Sequence, residues 1–188
     1  MGLKRCVGIV LLCVLLTGCA GQNQELDRVM TFRAALLAGS GCSFDASVTA
    51  DYGDEVYTFS MACLGDGQGN LTFSVTEPET ISGITGSISN DGGKLTFDDK
   101  ALAFALLADG QVTPVSAPWL LVKTLRGGYV TSCTMEEDLL RVSIDDSYQE
   151  DALHLDIWFG QGDNPVRAEI LWDDRRILSL EVKNFEIL

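Results

Sequence analysis

The feature that most constrains the fold of this chain is a short-range alternation of apolar and polar residues that recurs over most of its length. In the stretch CSFDASVTADYGDEVYTFSMAC, residues 42–63, apolar side chains occupy every second position on both sides of a polar turn. Successive side chains of a β-strand point to opposite faces, so this pattern predicts a hairpin with one buried face. A four-residue loop at residues 51–54 would place Cys42 directly opposite Cys63.

Two interpretations of this cysteine pair remain open. The Cβ atoms of directly opposite residues lie about 4.5–5.5 Å apart, which is close enough for a disulfide after a small shift. Cys42 and Cys63 therefore form a candidate disulfide, and the alternative is two buried thiols that face each other.

The alternation continues along the chain, with turns between the segments. Residues 65–69 and 90–93 are rich in glycine and polar residues and predict turns, and Pro78 ends a strand. The alternation shifts by one residue between Val182 and Phe185. A β-bulge near Asn184 would return Phe185 to the inner face.

Two segments predict helices. Apolar residues recur at helical spacing from Glu25 to Ala38, and the segment APWLLVKTL follows Ser116, a candidate N-cap. The second segment is apolar around most of its circumference, which is typical of a buried helix. Many short strands with two helices predict an α+β domain built on a largely antiparallel sheet.

The N-terminus predicts export and attachment to a membrane. Lys4 and Arg5 precede an apolar or small run at residues 6–16, which would be only about 17 Å long as a helix, too short for a bilayer of about 30 Å. The sequence Leu16-Thr17-Gly18-Cys19 resembles the bacterial lipobox, in which the cysteine is acylated and becomes the mature N-terminus. The alternative is an ordinary secretory signal. We therefore expect a signal peptide at 1–18, a lipidated Cys19 with a short polar tether at 19–24, and one domain at 25–188.

The charge of the chain excludes some partners. It carries 13 basic and 27 acidic residues, a net charge of −14, and cleavage before Cys19 would remove Lys4 and Arg5 and leave a net charge of about −16. Such a surface repels nucleic acid. We expect a lipid-anchored protein on the extracytoplasmic face of a cell membrane, with no nucleic-acid partner.

Motifs for catalysis and metal binding are weak. The single histidine, His154, lies in the strand pattern ALHLDIWF, which places it on the outer face beside Asp156, and no G-x-S-x-G motif accompanies it. The sequence has no Cys-x-x-Cys and no histidine pair. The segment GDGQGN at 65–70 predicts a turn and not a calcium loop, and Asp98-Asp99 and Asp145-Asp146 are expected at strand ends. We predict no enzyme activity, no metal and no cofactor.

The order of elements resembles that of the LolA-like superfamily over residues 25–188. An N-terminal helix, antiparallel strands, the APWLLVKTL helix and the ending ILWDDRRILSLEVKNFEI carry the resemblance. It implies a strongly curved, unclosed β-barrel of about 9–11 strands with both helices packed on the concave face, where family members hold acyl chains. The candidate apolar lining consists of Phe44, Val48, Tyr57, Phe59, Phe73, Trp119, Leu121 and Trp172. Each of these is alternatively a core residue.

Two functions follow as hypotheses. In the first, a non-catalytic envelope lipoprotein binds an acyl chain or another apolar ligand in the half-barrel. In the second, the same body is an interaction module that docks or regulates a cell-envelope enzyme and has no ligand of its own.

Overall fold

The computed structural model describes residues 20–53, 55–104, 107–108, 111–149, 152–173 and 175–188. Within these ranges, two α-helices pack on one face of an eleven-stranded antiparallel sheet, and a separate pair of short strands follows the sixth strand. The predicted α+β class, the strand count and the two helices on an unclosed curved sheet are confirmed.

The elements have the following bounds. The helices are α1 (Ala20–Ala38) and α2 (Ala117–Gly127). The strands are β1 (Gly41–Asp51), β2 (Val56–Asp66), β3 (Leu71–Glu77), β4 (Thr85–Ser89), β5 (Gly92–Phe97), β6 (Lys100–Phe104), β7 (Leu107–Ala108), β8 (Gln111–Val112), β9 (Tyr129–Glu136), β10 (Leu139–Asp145), β11 (His154–Phe159), β12 (Pro165–Trp172) and β13 (Arg175–Ile187). Short 3₁₀ turns occupy Glu79–Ile81, Pro114–Ser116 and Gln161–Asp163.

The strand order is β6-β5-β4-β3-β2-β1-β13-β12-β11-β10-β9. The first and last strands of the chain pair with each other in the middle of the sheet, and two meanders extend from them in opposite directions. β6 and β9 form the two ends of the sheet, so the sheet stays open. Buried side chains alternate along β1, β2 and β3 as the sequence predicted.

Helix α1 begins at Ala20, so the polar residues predicted as a tether form its first turns. Alanine and glutamine favour helix, and this stretch contains no proline and a single glycine to oppose it. Val29, Phe32 and Leu36 bury one side of the helix, and the Phe32 ring meets the Phe159 ring edge-on at 5.2 Å.

Helix α2 is buried on nearly every side, as its composition predicted. Two of its side chains bind the β2–β3 turn: Trp119 donates from Nε1 to the Gly69 carbonyl oxygen at 3.0 Å, and Arg126 donates from Nη2 to that of Gly67 at 2.7 Å. Ser116 precedes the helix, but its hydroxyl donates to the Thr113 carbonyl oxygen at 2.6 Å and makes no capping bond. The helix therefore lies across the inner face between the turn and β10.

The predicted register of the β1–β2 hairpin is wrong by two residues. Ala50 pairs with Tyr57, Phe44 with Cys63, and Cys42 with Gly65. The Tyr52 amide donates to the Glu55 carbonyl oxygen at 3.0 Å, so the loop starts one residue later than predicted. A two-residue slip keeps every side chain on its face, which is why the predicted burial is right although the predicted partners are not.

The predicted bulge at Asn184 is present. The β1–β13 register shifts between Ser43 and Asp45, Asn184 has a φ of 53°, and Phe185 is buried against Phe44 with ring centroids 5.4 Å apart. The Asn184 side-chain amide donates to the Asp45 carboxylate at 2.7 Å and holds the bulge in place. Asparagine tolerates the left-handed region better than most residues.

Candidate ligand-binding surface

The predicted lining residues do not surround one open cavity in the described part of the chain. Six of the eight belong to the packed core: Phe44, Val48, Phe59, Phe73, Trp119 and Leu121. Val48 and Leu121 have no exposed surface at all, and a cavity wide enough for water would expose the atoms that border it. The helices and the sheet therefore fill this part of the half-barrel with side chains.

Tyr57 and Trp172 differ from the other six. Tyr57 has the inward parity of β2 but is half exposed near the hairpin tip, where its ring meets that of Tyr52 at 6.2 Å and its hydroxyl donates to Glu55. Trp172 is half-buried at the end of β12 and packs against the core. Both lie near strand ends, Tyr57 at the start of β2 and Trp172 at the end of β12.

In the described residues, the two most exposed large apolar side chains of the inner face lie on β5 and β6, which we call the open end of the sheet. Leu95 pairs with Leu102, and Phe97 is two residues along from Leu95, so all three share the inward face of the buried Ile88. Phe97 is 52% exposed and Leu102 is 65% exposed. Large apolar side chains that point inward here meet solvent and not a helix.

Two aromatic rings line the approach to the open end. The Phe73 ring lies against Gly86, and the Phe104 ring lies against Gly93, so closely that neither glycine has room for a Cβ atom. Phe104 and Leu95 are half-buried and pack on the core. The result is a continuous apolar surface that runs from the core to the exposed Phe97 and Leu102.

The sequence interpretation missed Phe97 and Leu102 as candidate binding residues. Their alternation gives the correct face but does not show whether a helix covers them. What decides their exposure is the place of their strands in the sheet. β5 and β6 lie at the end of the sheet farthest from β9, against which α1 packs.

Grooves on the described surface open elsewhere. A groove of about 550 Å³ runs over the outer face of β2 to β5, and its lining includes Leu64, Thr72, Ser74 and Lys94. A second, of about 400 Å³, lies at the β4–β5 turn and reaches Phe104. Both are lined by polar as well as apolar atoms, and neither includes Phe97 or Leu102.

The cysteines Cys42, Cys63 and Cys133 are buried free thiols. Because Cys42 pairs with Gly65 and not with Cys63, the directly opposite arrangement predicted for the candidate disulfide is wrong. Burial raises the pKa of all three thiols above the ordinary value. Such thiols react slowly, because the thiolate is the reactive form.

The outer face of β10 and β11 carries a buried carboxylate. Asp156 is 3% exposed and accepts hydrogen bonds from Arg141 and Ser143, both at 2.6 Å. Burial acts to raise the pKa of Asp156, but these hydrogen bonds outweigh it and hold the pKa below its usual range. His154 lies on this outer face as predicted. Its Nδ1 is 2.7 Å from Asp145 Oδ1, and its Nε2 is 3.4 Å from Asp156 Oδ1.

This arrangement does not match a catalytic triad. The Ser143 hydroxyl donates to Asp156 and not to His154, so the imidazole is not placed to accept its proton. The ring of Trp158 lies between Arg141 and Arg167, with their guanidinium carbons 5.5 and 4.4 Å from its centroid, and its Nε1 donates to Glu136 at 2.8 Å. The charges compensate one another, which favours a structural role.

The turns predicted from composition are also in place. Asp66 accepts hydrogen bonds from the Gln68 and Asn70 amides, each at 2.9 Å, which occupies the carboxylate within the turn. Asp98 and Asp99, both with positive φ, form the turn between β5 and β6. In the described ranges, no group of three His, Cys, Asp or Glu residues is arranged to hold a metal ion.

Two findings concern the membrane. Neither helix in the described ranges combines the length and apolarity of a membrane span. The signal peptide and Cys19 lie outside the described residues.

No protein-family model matches the chain, and no curated protein matches it. Solved structures similar in fold include a LolA superfamily protein from Nitrosomonas europaea (8% identity, TM-score 0.44, 87% of this chain and 93% of that one). Another is a putative outer membrane lipoprotein-sorting protein domain from Vibrio parahaemolyticus, at 10% identity and a TM-score of 0.46; the match covers 85% of this chain and 90% of that one. A third is the complex of the CwlD amidase with the GerS lipoprotein from Clostridioides difficile, at 11% identity and a TM-score of 0.42; the match covers 85% of this chain and 93% of that one. At these identities the likeness is one of fold alone.

Proposed function

We propose that this chain is a non-catalytic cell-envelope lipoprotein, anchored through an acylated Cys19 on the extracytoplasmic face, that binds an acyl chain or a similar apolar ligand at the open end of its sheet. The observation that carries the proposal is the exposure of Phe97 and Leu102 on the inner face, on the same face as the buried Phe73 and Ile88 of β3 and β4. Exposed apolar surface that is continuous with a core is unfavourable in water and is typical of a binding surface.

The shape and chemistry of this surface favour an apolar chain over a polar ligand. Leu95, Phe97, Leu102 and Phe104 provide hydrocarbon and aromatic contacts, and Lys100 is the charged residue with the same inward parity on β6. A cation at the end of an apolar surface suits a carboxylate or phosphate head group. Of the eight lining residues first predicted, Phe73 alone borders this surface, so the proposed site moves from the covered part of the half-barrel to its open end.

Titration with a fluorescent fatty acid tests the proposal. Loss of one buried Leu or Phe contact weakens binding by about 1.5–3 kcal/mol, so Leu102→Ser and Phe97→Ser should each weaken the affinity about tenfold or more. Ala101→Ser and Ala103→Ser lie on the same strand but point to the outer face, and they should leave the affinity unchanged. Equal affinities for Leu102→Ser and Ala101→Ser would contradict the site.

The second candidate function is docking of an envelope protein without a small ligand. Among the described strands, β6 and β9 each have a neighbour on one side only, and this favours docking, because an edge strand offers backbone groups to an added strand of a partner. A photo-crosslinker placed at Thr131 on β9, compared with one at Thr96 on the outer face of β5, tests this candidate. A single crosslinked protein of defined mass at position 131 alone would favour docking over ligand binding.

A further inference from the structure

Helix α1 carries a second apolar stripe that nothing in the described part of the chain covers. Leu26, Met30 and Leu37 are 39%, 49% and 54% exposed. With 100° between successive residues, these three side chains fall within about 40° of one another on the helix surface. Their direction is roughly 100° away from that of the buried residues Val29, Phe32 and Leu36, so they form a separate stripe.

Two arginines fix the rotation of α1 about its axis. Arg28, on one flank of the buried side, donates to the Asp163 carboxylate from Nε at 2.9 Å and from Nη2 at 2.5 Å. Arg33, on the other flank, donates to the Gly128 carbonyl oxygen at 2.9 Å. The helix is therefore held from both sides, and the stripe cannot turn inward without breaking these bonds.

The position of the stripe relative to the anchor indicates its occupant. Cys19 immediately precedes Ala20, the first residue of α1. Leu26, Met30 and Leu37 lie about 9, 15 and 26 Å along the axis from that residue. A helix lying flat on a bilayer would bring all three side chains to the surface, whereas an upright helix would lift Leu37 well away from it.

We propose that α1 lies along the bilayer surface, with Leu26, Met30 and Leu37 inserted at the boundary between head groups and acyl chains. This rests on the proposed anchor at Cys19 and adds a second, non-covalent contact that orients the folded body. The two acidic and two basic residues at 25–38 balance, and the chain as a whole is acidic, so the contact is apolar and needs no anionic lipid.

Spin labels on the lipidated mature chain in phosphatidylcholine vesicles test the proposal. Labels at Leu26→Cys and Leu37→Cys report the stripe. Gln24→Cys and Ala35→Cys are matched controls, because both residues are exposed, lie at nearly the same heights and point about 160° away. The unsubstituted chain controls for labelling of the three buried thiols.

Both stripe labels should become more accessible to oxygen and less accessible to a water-soluble nickel chelate when vesicles are present. The control labels should stay accessible to the chelate, and 0.5 M salt should not change the pattern. If the lipidated chain binds vesicles but the label at position 37 is as accessible to the chelate as the label at position 35, the flat orientation is overturned. The anchor at Cys19 would remain supported by that result. Protection of the stripe without vesicles, with spin–spin coupling between chains, would assign it to a second copy and also overturn the proposal. A chain that carries no lipid and does not bind vesicles would overturn the anchor and the helix orientation together.

Discussion

The inner face of the sheet has two parts that look alike in sequence and differ in structure. On β1, β10 and β11, every second residue is apolar and buried on the side of α1 and α2, as at Val48 and Ile157. On β5 and β6 the same alternation continues through Leu95, Phe97 and Leu102, but the last two are more than half exposed. Alternation therefore determines the face of a residue, and the position of the helices determines whether that face is core or surface.

The largest expected difference between the two parts is the cost of removing one leucine. Leu121→Ala, in the fully buried α2 position, should lower the free energy of unfolding by about 3 kcal/mol, because it removes buried hydrocarbon and leaves a cavity. Leu102→Ala should change it by less than about 0.5 kcal/mol. Urea denaturation of both variants measures this. Similar costs at the two positions would show that the open end is packed like the core.

A smaller difference is expected on the outer face, where β10 and β11 hold a buried carboxylate. Arg141→Met leaves Asp156 without its main cation and should lower the free energy of unfolding by about 2 kcal/mol, less than for a wholly buried pair because Arg141 is partly exposed. Arg176→Met removes an exposed partner of Glu169 and should cost less than about 1 kcal/mol. Denaturation curves of equal midpoint for the two variants would contradict the importance of this network.

The close contact between Phe73 and Gly86, where the core meets the open end, gives a third test. Gly86→Ala forces a Cβ atom into the Phe73 ring and should cost about 1–3 kcal/mol. Gly127→Ala, where no atom lies within 4 Å of the added Cβ, is the control and should be close to neutral. Thermal unfolding measures both. A neutral Gly86→Ala would show that the ring moves freely and that the aromatic lining is not fixed.

The smallest effect concerns pH and again involves the outer face of β10 and β11. The pKa of Asp156 in the folded state lies below its unfolded value, so its contribution to stability is complete above about pH 4 and is lost as the pH falls through the folded pKa. Asp156→Asn should be less stable at neutral pH and should lose less stability than the parent chain between pH 5 and 2. Parallel stability curves in urea for the two proteins would exclude this contribution.

Local patterns in the sequence predicted much of the fold. The parity break at residues 182–185 located the bulge at Asn184, because a strand must return its apolar residues to the buried face. The apolar circumference of 117–127 identified α2 as buried for the same reason. Register in the first hairpin was not predictable, since loops one residue earlier or later give the same burial and different partners.

The candidate site was harder to predict than the fold, because it depends on what covers each strand. Inward parity selected Val48 and Leu121 as lining, and both are core, while Phe97 and Leu102 have the same parity and are exposed. The burial of Asp156 was equally hidden, because it arises from Arg141, Ser143 and Trp158 on neighbouring positions of the outer face and not from alternation.

Native mass spectrometry of the chain purified from membranes tests the central claim most directly. The account predicts a polypeptide that begins at an acylated Cys19 and carries an additional non-covalent apolar ligand, which Leu102→Ser loses and Ala101→Ser retains. A lipidated chain that carries no such ligand would contradict the assignment of the open end as the binding surface. A ligand that the Leu102→Ser variant holds as tightly as the parent protein would contradict it as well.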